Sequence, residues 1–244
     1  MDRLKNKVAI ITGATQGMGA ADAKLFIEEG AKVVITTAHN TQRGEELAAE
    51  LGENALFIKQ DVASETDWKN VIKETISHFG KVDVVVNNAG ITFNQSIFDL
   101  TVEEYRNIVA VNQVSVFLGT KYGAEAMKEH GGSIINISSL NGLVGGAIGY
   151  TDTKFAVRGL TKAAALELSR YKIRVNSVMP GAVATPMIQQ DDNTEAVAQF
   201  AKMIPMQRIA NPDEVAQMVL FLASDESSYS TGADFVVDGG MSAR

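Results

Sequence analysis

The strongest constraint on the fold is an alternation between short apolar runs, rich in β-branched residues, and longer amphipathic segments. This alternation is typical of parallel strands joined by helical crossovers. The runs are apolar at consecutive positions, which indicates strands covered by helices on both faces. The seven predicted strands are Val8–Thr12, Val33–Thr37, Leu56–Gln60, Val82–Asn87, Ser133–Ile137, Arg174–Met179 and Phe235–Val237. The sequence therefore predicts an α/β fold with a parallel sheet between two helix layers.

The 244 residues show no break in composition that would mark a domain boundary. Four prolines, with no tract rich in proline, serine or charge, indicate no linker. We therefore predict a single domain over residues 1–244. Residues 186–205 are less regular, with the polar stretch Gln189–Asn193 followed by an apolar one. Such a segment can close over a site, so residues 186–205 are predicted to form a mobile lid.

Composition argues against several classes of function. The absence of cysteine rules out disulfides, thiolate catalysis and a cysteine-based metal site. His39, His78 and His130 show no ligand spacing, so no metal site is predicted. A net charge of -7 argues against nucleic acid as a partner. No apolar run approaches the roughly 18 residues of a membrane span, and residues 1–5 lead directly into a strand. We expect a cytoplasmic protein that does not bind membranes.

Three helix starts are marked by capping sequences. Ser64–Asp67 and Thr101–Glu104 resemble capping boxes, in which a hydroxyl and an acidic side chain exchange hydrogen bonds with the backbone. Asn211–Glu214 offers an N-cap residue, a proline at the first helical position and an acidic side chain at the third. These patterns predict helices that begin within a residue of each cap.

A glycine-rich turn follows the first predicted strand. Gly13, Gly17 and Gly19 precede a helical stretch from Ala20 to Glu29. Glycines here permit a tight turn and let a pyrophosphate approach the unpaired N–H groups of a helix N-terminus. Strand, turn and helix together predict a dinucleotide site, although three spaced glycines alone would also fit a plain turn. The intervening residues assigned to this site are Thr15, Gln16 and Met18.

Tyr150 and Lys154 place a weak acid four residues from a positive charge. On a helix the two side chains share one face, so the ammonium can lie near the phenol. A nearby cation favours the phenolate, and lowering a pKa of about 10 to neutrality takes roughly 4 kcal/mol. One ammonium and a second positive group could supply that energy. The spacing alone also fits an exposed tyrosine beside a solvated lysine.

Five motifs occur in order along the chain. They are Thr12-Gly13-x-x-x-Gly17-x-Gly19, Asn87-Asn88-Ala89-Gly90, Asn112 with Ser139, Tyr150-x-x-x-Lys154 and Pro180-Gly181. Together they resemble the short-chain dehydrogenase/reductases over essentially the whole length. The resemblance implies a single Rossmann-like domain with a doubly wound, seven-stranded parallel sheet, an NAD or NADP cofactor and a homotetramer. It is strongest to bacterial ketone-reducing alcohol dehydrogenases and hydroxysteroid dehydrogenases, which implies a small ketone or alcohol as substrate.

The resemblance assigns four catalytic residues. Tyr150 would be the general acid that protonates the carbonyl oxygen as hydride arrives from the nicotinamide. Lys154 would lower the pKa of that phenol and bind the nicotinamide ribose. Ser139 would hold the substrate oxygen, with Ser138 as its rival because adjacent side chains of an extended segment point to opposite faces. Asn112 would position a water that links the lysine to solvent.

The resemblance also assigns contacts to the adenosine half of the cofactor. Asn88-Ala89-Gly90 would meet the ribose and the floor of the pocket, whereas Asn87 is equally consistent with a structural role between strands. Asp61 and Val62 would receive the adenine ring, although Asp61 also fits a turn or a helix cap.

The nicotinamide half is assigned to the segment after the sixth strand. The backbone of Val183 would bind the carboxamide, and Thr185 would lie near the phosphates, although a threonine there also fits a helix cap. Pro180 and Gly181 complete this predicted clamp.

Cofactor choice is predicted from the end of the second strand, residues 34–40, which contains no acidic side chain. An acid there would bind the ribose 2′-hydroxyl of NAD. Without one, a 2′-phosphate meets no repulsion, and Thr37, His39 and Arg43 could contact it. Ala38 stands where NADP-dependent relatives usually place an arginine. The pattern favours NADP(H), with NAD(H) possible.

The substrate is predicted to be a hydrophobic ketone. Candidate pocket residues, each of which also fits the core, are Ile91, Phe93, Leu140, Leu143, Val144, Ala182, Met187 and Met203. The stretch from Ser139 to Tyr150 is about two residues shorter than in close relatives, so the pocket wall differs.

Two other functions fit parts of the pattern. A 3-oxoacyl-[acyl-carrier-protein] reductase shares every motif and would use basic residues near its pocket to bind an acidic carrier protein. Here Lys128 is followed by Glu129, although Arg170 and Lys172 remain. A non-catalytic NADP-sensing protein is the alternative from a different class. Such proteins typically lose the tyrosine or the lysine, and this chain has both.

Overall fold

The computed structural model describes residues 2–93, 95–188 and 194–243. Seven parallel strands form one sheet in the order β3-β2-β1-β4-β5-β6-β7. Their bounds are β1 Val8–Thr12, β2 Lys32–Thr37, β3 Ala55–Lys59, β4 Val84–Asn87, β5 Gly132–Ile137, β6 Ile173–Pro180 and β7 Asp234–Val237. Every predicted strand is confirmed, with ends within two residues of the prediction.

Eight α-helices cover the sheet in the described part of the chain. Their bounds are α1 Gly17–Glu28, α2 Thr41–Leu51, α3 Glu65–Phe79, α4 Val102–Val109, α5 Ser115–Met127, α6 Tyr150–Leu168, α7 Thr194–Met203 and α8 Pro212–Ala223. One turn of π-helix, Ala110–Val114, joins α4 to α5. The first helix begins at Gly17, three residues earlier than predicted, so the glycine turn itself opens the helix.

The core has two layers, one on each face of the sheet. One layer packs Phe26 of α1 and Val219 of α8 against the strands. The other packs Trp68 of α3 and Met127 of α5 against the opposite face. Helices on both faces bury the central strands completely, as the continuous apolar runs predict. The strand order reverses between β1 and β4, and ligands of such sheets bind at the carboxyl ends of the strands there.

The helix starts largely follow the capping patterns. Thr101 and Glu104 form the full capping box of α4. The Ser64 hydroxyl accepts from the Asp67 N–H, but the Ser64 N–H donates to the Asp61 carbonyl, and one Asp67 oxygen accepts from the Asp61 N–H. Only half of the predicted box therefore forms at α3.

Helix α7 lies within the predicted lid, and residues 189–193 of that segment lie outside the described residues. The mobility of the lid stays a prediction. Among the described helices, none is both long and apolar enough to cross a membrane.

Candidate active site

The glycine turn is fixed by hydrogen bonds from the end of β4. The Asn88 side chain donates to the carbonyls of Thr12 and Gly13 at 2.8 and 3.1 Å. Gly13 has a φ of +64°, and a Cβ there would lie 2.9 Å from the Ala89 Cα, so only glycine fits. A Cβ on Gly19 would lie 2.6 Å from Asn88 Nδ2, so this glycine permits close packing of α1.

A cleft of about 360 Å³ lies above this turn. It brings together most of the residues predicted to bind the cofactor, namely Gly13, Thr15, Gln16, Gly17, Met18, Thr37, His39, Asp61, Val62, Asn88, Ala89, Gly90 and Thr185. Gly19 is absent from its lining because it packs beneath the turn. The sequence analysis missed Gln60 and Val111, which also line the cleft.

The cleft fits a dinucleotide on three observations. No side chain caps α1 at Gln16 and no acidic residue lies in its first turn, so its N-terminus suits a phosphate. Gly17 has a φ of +56°, and a Cβ there would lie 3.2 Å from Thr185 Cγ2 across the cleft. Both polar atoms of the Gln60 amide are buried without a hydrogen-bond partner among the described residues. Buried polar atoms normally have a partner, and a polar ligand in the cleft could supply it.

The end of the cleft beside β2 is lined by Thr37, Ala38 and His39. Arg43 is not part of the lining, because its guanidinium pairs with Glu50 at 2.8 Å on α2. Asp61 lines the cleft and also closes a turn, since its Oδ1 accepts from the Ala63 N–H at 2.9 Å. A 2′-phosphate would therefore meet a hydroxyl and an imidazole here.

Ser139, Tyr150 and Lys154 converge at the carboxyl end of β5. Ser139 and Tyr150 line the same cavity, and the Ser139 hydroxyl lies close enough to the phenol to influence its pKa. The Lys154 Nζ lies 5.4 Å from the centre of the Tyr150 ring and donates to the Ile137 carbonyl at 2.8 Å. Ser138 points the other way, and its hydroxyl donates to the Lys154 carbonyl at 2.9 Å. Of the two serines, only Ser139 is thus placed against the phenol.

Burial shifts both titratable groups toward their neutral forms. Burial raises the pKa of Tyr150, and the Ser139 hydroxyl partly opposes that rise. Burial also lowers the pKa of Lys154 to about 8. The sequence analysis expected the lysine to lower the tyrosine pKa, but in the protein alone the cost of burying a phenolate is larger.

Asn112 is fully buried in the π-helical turn. Its Oδ1 accepts from the Ile91 N–H at 2.8 Å, and its Nδ2 donates to the Ile91 carbonyl at 2.9 Å. The side chain therefore holds the backbone that follows β4, beside Gly90 and Lys154. π-Helical turns occur frequently at functional sites. Asn87 is also structural, since its Nδ2 donates to Asn136 Oδ1 at 2.8 Å and ties β4 to β5.

A second cavity of about 240 Å³ begins at Ser139 and Tyr150. The predicted clamp residues Pro180, Gly181, Val183 and Thr185 line it, together with Leu140, Ala182 and Met187. Ile91 lines the first cleft instead, and Phe93, Leu143, Val144 and Met203 line neither cavity. Lining residues that the sequence analysis missed include Asn141, Ile188, Phe200 and Met241. The last two lie in α7 and near the C-terminus, which no local pattern connects to Tyr150.

Comparison with known proteins identifies the family. A sequence model described as enoyl-(acyl carrier protein) reductase matches residues 13–242. The NADP-dependent (R)-specific alcohol dehydrogenase of Lentilactobacillus kefiri is 44% identical, covering 100% of this chain and 99% of that protein. The chain belongs to the short-chain dehydrogenase/reductase family. As a member of this family the protein is an oxidoreductase.

Two further relatives support the same assignment. The 3-alpha-(or 20-beta)-hydroxysteroid dehydrogenase of Mycobacterium bovis is 47% identical, covering 98% of this chain and 90% of that protein. A crystal structure of a short-chain type dehydrogenase/reductase from Mycobacterium marinum superposes with a TM-score of 0.93 at 35% identity, covering 99% and 97% of the two chains. The short-chain dehydrogenase/reductase fold therefore extends over the whole described chain. Within that described part, no group of three or more His, Asp or Glu side chains could hold a metal ion.

Proposed function

We propose that this short-chain dehydrogenase/reductase transfers hydride between NADP(H) and a hydrophobic ketone or secondary alcohol. The observation that carries the proposal is the meeting of Ser139 and Tyr150 in the second cavity with Lys154, whose Nζ lies beside Gly90 of the cofactor cleft. Bound NADPH supplies the hydride. The chain supplies a hydrogen bond from Ser139 to the substrate oxygen and a proton from the Tyr150 hydroxyl.

Lys154 has two parts in this proposal. Its Nζ lies 3.6 Å from where a Cβ of Gly90, a residue of the cleft lining, would stand. This distance supports the proposal that Lys154 binds the nicotinamide ribose. With a pKa of about 8 it is mostly charged at neutral pH. Together with the positive charge of an oxidised nicotinamide, it favours the Tyr150 phenolate needed for alcohol oxidation. Asn112 holds the neighbouring backbone, and a water that links Lys154 to solvent is proposed beside it.

NADP(H) is favoured because the β2 end of the cleft offers Thr37 and His39 and no acidic side chain. The L. kefiri relative is named as NADP-dependent, which agrees with this choice. NAD(H) remains an alternative cofactor, since no arginine or lysine lines this end of the cleft.

A ketone is favoured over a carrier-protein thioester by the placement of the basic residues. Arg170 and Lys172 precede β6, at the amino ends of the strands, and Tyr150 lies at the opposite edge of the sheet. The second cavity is lined largely by apolar side chains such as Leu140, Met187 and Phe200. We further propose a cytoplasmic homotetramer. In support of assembly, large apolar side chains are exposed on α5 and α6, at Phe117, Phe155 and Leu166.

A steady-state screen tests the proposal. Aryl ketones, keto esters, steroids and acetoacetyl thioesters are assayed with NADPH and NADH. Reduction of apolar ketones with NADPH is expected. Activity confined to the thioesters would replace the proposal with a 3-oxoacyl carrier-protein reductase, and absence of turnover despite NADPH binding would favour a sensor.

The cofactor choice is tested by Thr37→Asp, with Thr37→Ser as the control that keeps the hydroxyl. The new carboxylate repels a 2′-phosphate and can bind a 2′-hydroxyl. We expect the ratio of kcat/KM for NADPH over NADH to fall about 10- to 100-fold, the effect of roughly 1.4–2.8 kcal/mol. An unchanged ratio in Thr37→Asp would contradict recognition of the phosphate at this position.

A further inference from the structure

Arg158 lies on the same face of α6 as Tyr150 and Lys154, at successive steps of four residues. Its guanidinium bridges two separate parts of the chain. Nη1 donates to the Gly142 carbonyl at 2.6 Å, and Nε and Nη2 donate to Asp234 Oδ2 at 3.1 and 3.0 Å. Arg158 therefore joins the turn after β5 to the first residue of β7.

The carboxylate end of this bridge is firmly held. The Ser177 hydroxyl donates to Asp234 Oδ1 at 2.5 Å, and Lys162 Nζ lies 3.1 Å from Oδ2. Burial works to raise the pKa of Asp234, but hydrogen bonds from Ser177, Arg158 and Lys162 hold it below its ordinary value. Asp234 is thus a charged anchor, only 14% exposed, for the guanidinium.

The other end of the bridge controls the turn that carries Ser139. The Gly142 N–H donates to the Ser139 carbonyl at 2.8 Å, and the Asn141 N–H donates to Ser139 Oγ at 3.1 Å. Gly142 packs closely, since a Cβ there would lie 2.6 Å from Ser138 Oγ and 3.0 Å from the Lys154 carbonyl. The turn that Arg158 holds at Gly142 is therefore hydrogen-bonded to both the carbonyl and the hydroxyl of Ser139.

We infer that Arg158 is a positioning residue, which fixes the Ser139 hydroxyl against Tyr150 by tying the Gly142 carbonyl to Asp234. The inference rests on the proposed function, in which those two hydroxyls share the substrate oxygen. A planar guanidinium can bind a carbonyl and a carboxylate at once, whereas an ammonium in its place is a point charge on a flexible stem.

The test compares Arg158→Met and Arg158→Lys with Arg3→Met. Arg3 makes a similar two-nitrogen contact with Glu226, at 2.9 and 2.6 Å, in another part of the molecule. For Arg158→Met, kcat is expected to fall about 10- to 100-fold, as for a misplaced reacting group. The dissociation constant for NADPH should stay within about twofold of wild type, because neither Arg158 nor its partners Gly142 and Asp234 line the cleft. Arg158→Lys should recover part of kcat, and Arg3→Met should behave as wild type.

Two readouts separate positioning from general damage. Since the Ser139 hydroxyl lowers the pKa of Tyr150, loosening it should move the rise of alcohol oxidation with pH to higher pH. Hydrogen exchange of the backbone amides of residues 141–144 should quicken about tenfold in Arg158→Met without cofactor. If Arg158→Met does not fold, the milder variant Asp234→Asn is measured in its place. It should show the same changes with smaller magnitude.

A fall in kcat with an unchanged pH profile and unchanged exchange at residues 141–144 would overturn the inference. So would full activity in Arg158→Met. If Tyr150→Phe keeps wild-type turnover, the proposed function fails instead, and the exchange measurement still reports on whether Arg158 holds the turn.

Discussion

Helix α6 carries positive charge in two opposite settings. Near its start, Lys154 is 4% exposed, and burial alone accounts for its lowered pKa, with no carboxylate of the described residues acting on it. Further along the helix, the side chains of Arg158 and Lys162 are 24% and 51% exposed and share the Asp234 carboxylate at 3.0 and 3.1 Å. The exposed pair thus has a counterion, whereas the buried lysine has none among the described residues.

The presence or absence of a counterion gives the positive side chains of α6 different properties. A positive charge that is paired with a carboxylate is held in place and has its field largely cancelled. A buried charge without one costs stability, but its field acts on whatever lies next to it. Beside Lys154 that neighbour is the Tyr150 phenol and, in the proposed function, the nicotinamide ribose. In the proposed function, the missing counterion keeps the lysine available for catalysis.

The importance of the missing counterion can be tested by placing a carboxylate beside Lys154. A Cβ at Gly90 would lie 3.6 Å from Lys154 Nζ and 3.3 Å from Asn112 Oδ1, so Gly90→Asp places a carboxylate beside the ammonium. The new charge should raise the pKa of Lys154 and cancel its effect on the phenol. Turnover is expected to fall about 100- to 1,000-fold, the range seen when one electrostatic contact is lost.

Gly90→Ala is the matched control, because it adds the Cβ without the charge. It should lose less than about tenfold in turnover, since the neighbouring atoms need shift only slightly. Steady-state kinetics at pH 7 measure both variants. Equal losses of turnover in Gly90→Asp and Gly90→Ala would show that the added volume, and not the added charge, lowers activity.

Asp22 sharpens the comparison as a buried carboxyl group with no partner among the described residues and no assigned chemistry. It is fully buried on α1, and neither carboxyl oxygen has a hydrogen-bond partner among the described residues. Burial raises its pKa well above the ordinary value of 3.8. A raised folded-state pKa gives stability that is present below the unfolded value and is lost as pH rises through the folded one. Asp22→Ala should therefore increase the free energy of unfolding by about 1–3 kcal/mol at pH 8.

Urea unfolding of wild type and Asp22→Ala at pH 5 and pH 8 measures this effect. The gain in the free energy of unfolding of Asp22→Ala over wild type should be larger at pH 8 than at pH 5, because at pH 8 keeping the buried carboxyl protonated costs more free energy. A variant less stable than wild type at both pH values would indicate that Asp22 has a partner in solution.

The amino-acid sequence alone predicts the features that depend on neighbouring residues. Seven strands, the glycine turn after β1 and the cap at Thr101 each depend on a few adjacent residues, and all three form as predicted. Two residues that the sequence analysis connected with the cofactor do not line the cleft, for a common reason. Gly19 packs beneath the turn against Asn88, and Arg43 is taken by Glu50, and neither partner adjoins it in sequence.

The features that the sequence analysis did not predict depend on contacts between segments that are distant in the sequence. Arg158 could be placed on the face of Tyr150 from spacing alone, but its bond to Asp234 joins residues 76 apart. Met241 reaches the second cavity from the C-terminus. The pKa of Tyr150 could not be predicted either, because it reflects how completely the fold removes water from the phenol.

The central claim is that the Tyr150 hydroxyl delivers the proton at this site. Single-turnover reduction of an apolar ketone by NADPH, followed by loss of nicotinamide absorbance, tests it most directly in Tyr150→Phe. The account predicts that the rate falls about 10²- to 10⁴-fold while the dissociation constant for NADPH changes less than about twofold. A rate within tenfold of wild type, with the cofactor bound normally, would contradict the claim.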